Sequence, residues 1–344
     1  MASRALVIGA GKFADPEIGS WDEITESARR YLEVLSSDAM WGPGACRILT
    51  DEELQTADGV MTALQETADA TGPDDTLLVV YVGHGKYWSD LPVSDQVHFA
   101  VGSSYKDRPW TWLSSWYVYR VMRKADARLK VLIADCCFSG RLPHLGGESV
   151  LPGILGERDQ GTCVFTALKD ERESYAPAAG CTKLPTRFAG CTPFSGHLLK
   201  VLEQGTRDDT DELTIGHLRE AVRTEMERCP TGHKAPRMSL NNARESTPLF
   251  TNRMDEGERR ARPAPVEPAE WARLLKVDRL SPLADLLKDE HMTGDVVRHL
   301  SSLTDPESQD LAADIDAKAN EFFVEPDTFA RYWSHVEPTR SPQA

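Results

Sequence analysis

The chain has 344 residues, 40% of them hydrophobic, which is enough for one large domain or two modest ones with a buried core. Lysine and arginine total 39 against 54 aspartates and glutamates, and the formal net charge of −15 argues against a broad surface for DNA or RNA. No run approaches about 18 apolar residues and the N-terminal one is too short for a secretory signal, so we expect a cytoplasmic protein that does not bind membranes.

The first half of the chain alternates short, β-rich apolar runs with segments of helical periodicity. RALVIGAG predicts a first strand, and SWDEITESARRYLEVLSS predicts the helix that follows it. The same alternation continues through CRILTD, TADGVMTALQETADAT, DTLLVVYVGHG, WLSSWYVYRVMRKA and LKVLIADCC. Strands that alternate with helices form parallel sheets, so we predict an α/β fold with a mostly parallel sheet flanked by helices.

The second half of the chain predicts a loop, the end of this domain and a second domain. Proline and glycine punctuate the stretch after Gly140, which predicts an exposed loop before the strand TCVFTALKD. Two helices and a last strand, STPLFTN, then complete a first domain at residues 1–252. A charged, proline-containing linker at 253–266 precedes residues 267–344, where every segment has a helical pattern. We expect this helical domain to bind a protein partner or to regulate the first domain.

Three short patterns have simpler interpretations than a ligand site. GAGKFA fits the dinucleotide pattern GxGxxA, but Pro16 and Gly19 delay the helix that must open at once, which indicates a strand exit. The stretch that begins with DDTDE does not have the glycine and the glutamate that a calcium loop needs at its sixth and twelfth positions, so it predicts a solvated turn. The tryptophans at 110, 112 and 116 either line a cleft or cover a core, and their helical spacing favours the core.

The cysteines and most histidines give no metal signal. Seven cysteines without paired CxxC units argue against a disulfide framework and against a structural zinc site, so we expect no metal site. The isolated histidines are expected to have no chemical role: His144, His217, His233, His291, His299 and His335.

His84 and the cysteine pair Cys136 and Cys137 are different, because each ends a buried, β-branched run beside a glycine or small residues. The carboxyl ends of adjacent parallel strands converge, so we expect the histidine to meet one of the cysteines. Alternation of side chains along a strand predicts that one cysteine points into the core and the other outward. A thiol beside an imidazole supports nucleophilic catalysis, and the alternative is an inert buried cysteine beside a core histidine.

Together, YVGHG and DCCFSG resemble the Y-S-G-H-G and D-x-C-x-S-G motifs of the caspase and metacaspase superfamily of cysteine peptidases, in particular its bacterial metacaspase-like branch. The resemblance spans residues 4–252 and departs at Phe138, where metacaspases commonly carry histidine. It implies a caspase-like fold with Cys137 as nucleophile and His84 as general base. It also implies an oxyanion hole made by the backbone N–H groups of Cys137 and Gly85.

The resemblance further implies a peptide substrate. In TALKDERESYA, Asp170 aligns with the acidic residue of the S1 pocket, so we expect cleavage after arginine or lysine. Arg172 stands where the motif has glutamine, and the preference would be ambiguous if its guanidinium also entered the pocket. The other alternative is that this acidic stretch is a solvated loop. Self-cleavage is expected in the loops at 141–161 and 176–192, with Arg158, Lys183 and Arg187 as candidate positions.

The expected protein is therefore a cysteine endopeptidase that needs no cofactor, and calcium activation is left open. Bacterial caspase-like chains with appended modules resemble components of defence or programmed-death pathways, which makes such a role an expectation by analogy. Two alternatives keep the same fold. One is a non-catalytic adaptor that acts through protein–protein interaction, and the other is an acyl-transfer or ligase activity of the same Cys–His dyad.

Overall fold

The structure is a computed structural model that describes residues 3–88, 96–144, 161–168, 181–207, 210–229 and 231–255. The chain divides into two units, Met1–Glu256 and Gly257–Ala344, and the second unit lies outside the described residues. The helical domain and its boundary therefore stay predictions. In the part of the chain that is described, no helix has the length and apolar character needed to cross a membrane.

Five α-helices lie in the described residues: α1 (Asp22–Leu35), α2 (Ala57–Asp69), α3 (Ser115–Lys124), α4 (Pro193–Gln204) and α5 (Ile215–Glu227). The strands of the same ranges are β1 (Arg4–Gly9), β2 (Cys46–Ile48), β3 (Thr76–Val82), β4 (Gly85–Tyr87), β5 (Val97–Phe99), β6 (Leu113–Ser114), β7 (Leu129–Asp135), β8 (Thr162–Thr166), β9 (Glu212–Thr214), β10 (Arg237–Asn241) and β11 (Pro248–Thr251).

A six-stranded sheet in the order β10-β8-β7-β3-β1-β2 forms the centre of the fold. All neighbours pair in parallel except β10, which runs antiparallel to β8 at one edge. The two central strands, β3 and β7, are buried along their whole length, as their continuous apolar runs predict. The predicted fold class, a mostly parallel sheet flanked by helices, is therefore confirmed.

Helices cover both faces of the sheet. Side chains of α1, α4 and α5 pack on one face with Val80 and Val82, whereas α2 and α3 pack on the other with Val79 and Tyr81. Successive residues of β3 therefore point to opposite layers, as the period of two of a strand requires. The sheet buries both faces, which explains why its strands read as unbroken hydrophobic runs instead of alternating ones.

Two smaller sheets lie outside the central one. Strands β4, β5 and β6 form an antiparallel sheet directly after β3, and β9 pairs with β11. The sequence predicts none of the first three, because strands of two or three residues are too short to show a period. The predicted strand STPLFTN is found as β11, but it pairs with β9 and does not join the central sheet.

Asp135, the last residue of β7, ties the central sheet to α4. Its Oδ2 accepts hydrogen bonds from Thr192 Oγ1 at 2.5 Å, from Ser195 Oγ at 2.6 Å and from the backbone N–H of Ser195 at 3.2 Å. A carboxylate that accepts a hydrogen bond from the N–H of the third residue of a helix acts as an N-cap, and here the carboxylate comes from another element. Burial raises the pKa of Asp135, and the bonds from Ser195 and Thr192 oppose that rise.

We predict that Asp135→Ala lowers the free energy of unfolding by about 2–4 kcal/mol, since it removes charged hydrogen bonds and leaves buried donors unpaired. The matched control is Asp126→Ala, which removes an exposed aspartate shortly before β7 and should cost about 0.5 kcal/mol or less. Urea unfolding of both variants measures the difference. Equal losses in the two variants would contradict the capping role.

Candidate active site

His84 and Cys137 leave the sheet at equivalent positions of two paired strands. Val82 of β3 lies opposite Asp135 of β7 in parallel register, and each candidate residue comes two positions after its strand ends. The N–H of Gly83 donates to the carbonyl oxygen of Asp135 at 3.1 Å, which continues the pairing one step beyond the strands. The segments that carry His84 and Cys137 therefore leave the sheet at the same edge.

Gly85 brings the two segments into contact. A methyl group built on Gly85 would overlap the carbonyl oxygen of Cys137 and would lie 3.0 Å from the Sγ of Cys136. Any side chain at this position would therefore force the histidine segment away from the cysteine turn. A glycine is needed because the two backbones approach closely at this point, and the oxyanion hole expected from Gly85 and Cys137 requires the same approach.

The two cysteines have different environments. Cys136 has 0% of its surface exposed, and it packs with the residues under α2 and α3. Burial raises the pKa of its thiol well above the ordinary value. Cys137 is partly exposed at the edge of the sheet. The pair therefore divides as alternation along the strand predicts, with Cys136 in the core and Cys137 outward.

A tight turn follows Cys137. Phe138 has φ of 57°, a left-handed conformation that costs a non-glycine residue on the order of 1 kcal/mol. A 3₁₀ turn, Ser139–His144, then leads the chain away, and the N–H of Arg141 donates to the Phe138 carbonyl at 2.9 Å. The left-handed backbone at Phe138 lets the chain turn immediately after Cys137.

A backbone carbonyl orients the ring of His84. Its Nε2 lies 3.1 Å from the carbonyl oxygen of Gly19, and because a carbonyl only accepts, Nε2 carries the proton and Nδ1 remains an acceptor in the neutral ring. Phe13 and Trp21 pack edge-on against the imidazole, with ring centroids at 5.3 Å and 5.7 Å. Burial lowers the pKa of His84 below its ordinary 6.5, despite the opposing bond to Gly19. The imidazole is therefore a neutral base at neutral pH.

Sequence reasoning missed the contribution of residues 10–21, which supply these contacts. This segment joins β1 to α1, and it lies where the strand order reverses between β1 and β3. Such a reversal opens a crevice at the carboxyl ends of the strands, the usual ligand-binding place in open α/β sheets. Pro16 and Gly19 were the available signal, because they hold the chain in a loop before the helix begins.

Tyr81 positions the turn that carries His84. Its buried hydroxyl lies 2.8 Å from the carbonyl oxygen of His84 and 3.0 Å from that of Ala100. Gly83 permits this arrangement, since a methyl group there would come within 2.5 Å of the hydroxyl oxygen. The tyrosine of YVGHG thus joins the turn after β3 to the end of β5 and limits the movement of the imidazole.

Some of the sequence predictions concern residues outside the described ranges, and the prediction for the tryptophans has a different outcome at different positions. Asp170 and Arg158 lie outside the described residues, so the predicted S1 acid stays a prediction. Lys183 is exposed, and Arg187 is exposed but forms an ion pair with Glu203. Among the tryptophans, Trp112 is buried with 6% exposure, whereas Trp110 is 80% exposed and covers no core.

A second group of cysteines and histidines includes one residue of α4. Cys181, His197, Cys229 and His233 offer ligand atoms that all lie within 4.8 Å of one another. Sequence reasoning expected no chemistry at His233 and did not single out His197. Burial raises the pKa of the Cys181 thiol, but hydrogen bonds from Thr231 and His233 outweigh it and lower the pKa to about 6. Cys181 has only 2% of its surface exposed, which closes this thiol to a peptide.

No protein-family model and no curated protein sequence matches the chain. Solved structures are similar to the chain, and two of them serve as examples. Protein GSU0716 from Geobacter sulfurreducens gives a TM-score of 0.47 at 15% identity, covering 70% of this chain and 93% of that one. Caspase-1 from Spodoptera frugiperda gives a TM-score of 0.43 at 13% identity, covering 69% and 85%. At these identities the likeness concerns the fold alone, and the metacaspase branch stays a prediction.

We predict that iodoacetamide alkylates Cys137 in the folded protein and leaves Cys136 unmodified, since only Cys137 is accessible and burial keeps Cys136 a neutral thiol. Fragmentation mass spectrometry of the tryptic peptide distinguishes the two residues. In urea both should react, which serves as the control. Equal labelling of Cys136 in the folded state would show that the environments assigned here are wrong.

Proposed function

We propose that this chain is a cysteine endopeptidase in which Cys137 is the nucleophile and His84 the general base. A mostly parallel α/β fold with cysteine and histidine together at one sheet edge is compatible with such an enzyme. The observation that supports the proposal most is the register of β3 and β7, which directs both residues to the same edge. The contact of Gly85 with the Cys137 backbone adds to it, because it brings the two segments as close as a shared site requires.

In the proposed reaction, Nδ1 of His84 accepts the proton of the Cys137 thiol, and the thiolate attacks the carbonyl carbon of the scissile bond. The oxyanion that forms accepts hydrogen bonds from the N–H groups of Gly85 and Cys137, each worth about 3 kcal/mol of barrier. The imidazolium then protonates the leaving amine, and the C–N bond breaks. Water attacks the thioester in the second half of the reaction, losing a proton to His84, and regenerates the thiol.

The surroundings of His84 support the role of a base. Its lowered pKa keeps the ring neutral at pH 7, so that it can accept a proton from the thiol. The Gly19 carbonyl fixes the tautomer that leaves Nδ1 unprotonated. Gly19 thereby takes the place of the third, orienting group that nucleophile–base pairs commonly have, here through its backbone.

We further propose that the enzyme cleaves after arginine or lysine and that Asp170 supplies the S1 carboxylate, as the resemblance implies. A desolvated ion pair with the substrate would exclude aspartate from the same position. A role in a bacterial defence or programmed-death pathway rests on analogy with chains that carry appended modules. The helical domain would then bind the partner that controls the peptidase.

We predict that Cys137→Ala and His84→Ala each lower kcat/KM by at least about a thousandfold, because each removes a group that takes part in bond making. The matched control, Cys136→Ala, should keep most of the activity, since Cys136 is a core residue. Hydrolysis of a fluorogenic peptide library measures all three variants. A fully active Cys137→Ala protein would overturn the assignment, and folded wild type that cleaves no peptide would favour the adaptor.

We also predict that matched peptides ending in arginine or lysine are cleaved and that their aspartate analogue is not. Asp170→Ala should remove the preference through loss of the pocket charge, expressed mainly in KM. Glu171→Ala and Glu173→Ala are charge-matched controls, and the arginine preference should change little in either. If the acidic stretch were only a solvated loop, all three substitutions would have the same effect. An unchanged arginine preference in Asp170→Ala would show that the S1 acid lies elsewhere.

A further inference from the structure

Three separate segments of the chain converge on the cluster of Cys181, His197, Cys229 and His233. Cys181 lies in the segment that precedes α4, and His197 lies on the second turn of α4. Cys229 and His233 lie on either side of a turn directly after α5. The two Sγ atoms are 3.3 Å apart, and the two imidazole centroids are 5.1 Å apart. Two thiols and two imidazoles therefore point into one small volume.

His197 gives a second, independent observation. Only 3% of its surface is exposed, and in the part of the chain that is described neither ring nitrogen has a hydrogen-bonding partner. Buried polar nitrogens are almost always paired, so an unpaired imidazole in this place calls for a ligand. Its Nδ1 lies 3.6 Å from Oε2 of Glu225, which leaves Nε2 as the nitrogen available to the cluster.

We propose that Cys181, His197, Cys229 and His233 bind one zinc ion as a structural site. Two thiolates and two imidazoles are a common donor set for tetrahedral zinc, and bonds of about 2.0–2.3 Å place the four ligand atoms about 3.3–3.8 Å apart. The spread of the cluster, within 4.8 Å, needs only small side-chain movements to reach that geometry. The proposal goes beyond the peptidase function and departs from the absence of metal expected from the sequence.

The residues around the cluster fit this role. Glu225 is held by Lys200, with Nζ and Oε2 2.6 Å apart, and faces Nδ1 of His197. A carboxylate beside the outer nitrogen of a histidine ligand is the usual second partner in zinc sites, where it fixes the tautomer. The Thr231 hydroxyl lies 2.9 Å from Cys229 Sγ and 2.7 Å from Nε2 of His233, so it contacts both ligands of the turn.

Two other interpretations explain less. A disulfide between Cys181 and Cys229 would use the two sulfur atoms but would leave the buried His197 without a partner. A catalytic pair of Cys181 and His197 would need a path for a peptide to a thiol that is 2% exposed. A metal ion satisfies all four side chains at once. It would also fasten the segment before α4 and the turn after α5 to the same helix, adding its binding energy to folding.

The experiment measures metal in the full-length chain, purified with reductant from zinc-supplied cells and desalted. Elemental analysis by mass spectrometry should find about one zinc ion per chain. Cys229→Ala and His233→Ala should lose most of that zinc, whereas Cys46→Ala and His217→Ala, which change the same residue types elsewhere, should retain it. A folded wild-type chain without zinc, or zinc content unchanged in both ligand variants, would overturn the proposal.

A second measurement on the wild type keeps the test decisive if the ligand variants do not fold. Replacing the metal with Co²⁺ should give the intense thiolate charge-transfer band and the visible bands of a tetrahedral site, with two thiolate ligands. Chelation should lower Tm, and added Zn²⁺ should restore it. Absence of these bands in folded protein would also overturn the proposal.

Discussion

The in-register parallel pairing of β3 with β7 is the constraint on which the rest of the structure depends. It sets Val82 opposite Asp135, and therefore sets the residues two positions further on at the same level of the sheet. A slip of one residue would turn every side chain of one strand to the other face, and would exchange the directions of the two cysteines. Both strands are buried on both faces, and such a slip would move Tyr81 and Asp135 away from their hydrogen-bonding partners, which would leave buried polar groups unpaired. Packing and these buried hydrogen bonds together fix the geometry of the candidate active site.

The end of β7 also determines where α4 begins. Asp135 caps that helix through Thr192 and Ser195, and His197 follows two residues after the last of these contacts. The first two turns of α4 therefore carry both Ser195, which binds Asp135 of the sheet, and His197, a proposed zinc ligand. Burial penalises the charged form of Asp135, and the hydrogen bonds that Oδ2 accepts at the N-terminus of α4 oppose that penalty. The proposed metal would bind the same helix at its second turn, so that the helix would be held at two points.

The sequence predicts those parts of the fold that depend on long patterns. The central strands and all five described helices show their periods clearly, and the convergence of His84 with the cysteine pair follows from the rule that parallel strands end at one edge. The small sheet after β3 has strands too short to show a period. Pro16 and Gly19 indicate a loop, but the contact with His84 uses the Gly19 backbone carbonyl, which any residue type possesses, so no side-chain pattern identifies the contact. The sequence does not predict the cysteine–histidine cluster for a different reason: its four residues come from three segments that only tertiary packing brings together.

Burial separates the chemistry of the two cysteine–histidine groups, although their residue types are the same. A nucleophile must reach its substrate, and Cys137 is partly exposed two residues after β7, whereas its candidate base, His84, lies in the turn after the neighbouring strand β3. Cys181 is enclosed, and its neighbours are a second thiol and two imidazoles instead of an open crevice. Enclosure prevents a peptide from entering, but it favours an ion that replaces the missing hydrogen bonds of buried groups. The number of donors points the same way, since catalysis by a thiol needs one base whereas tetrahedral coordination needs four ligands.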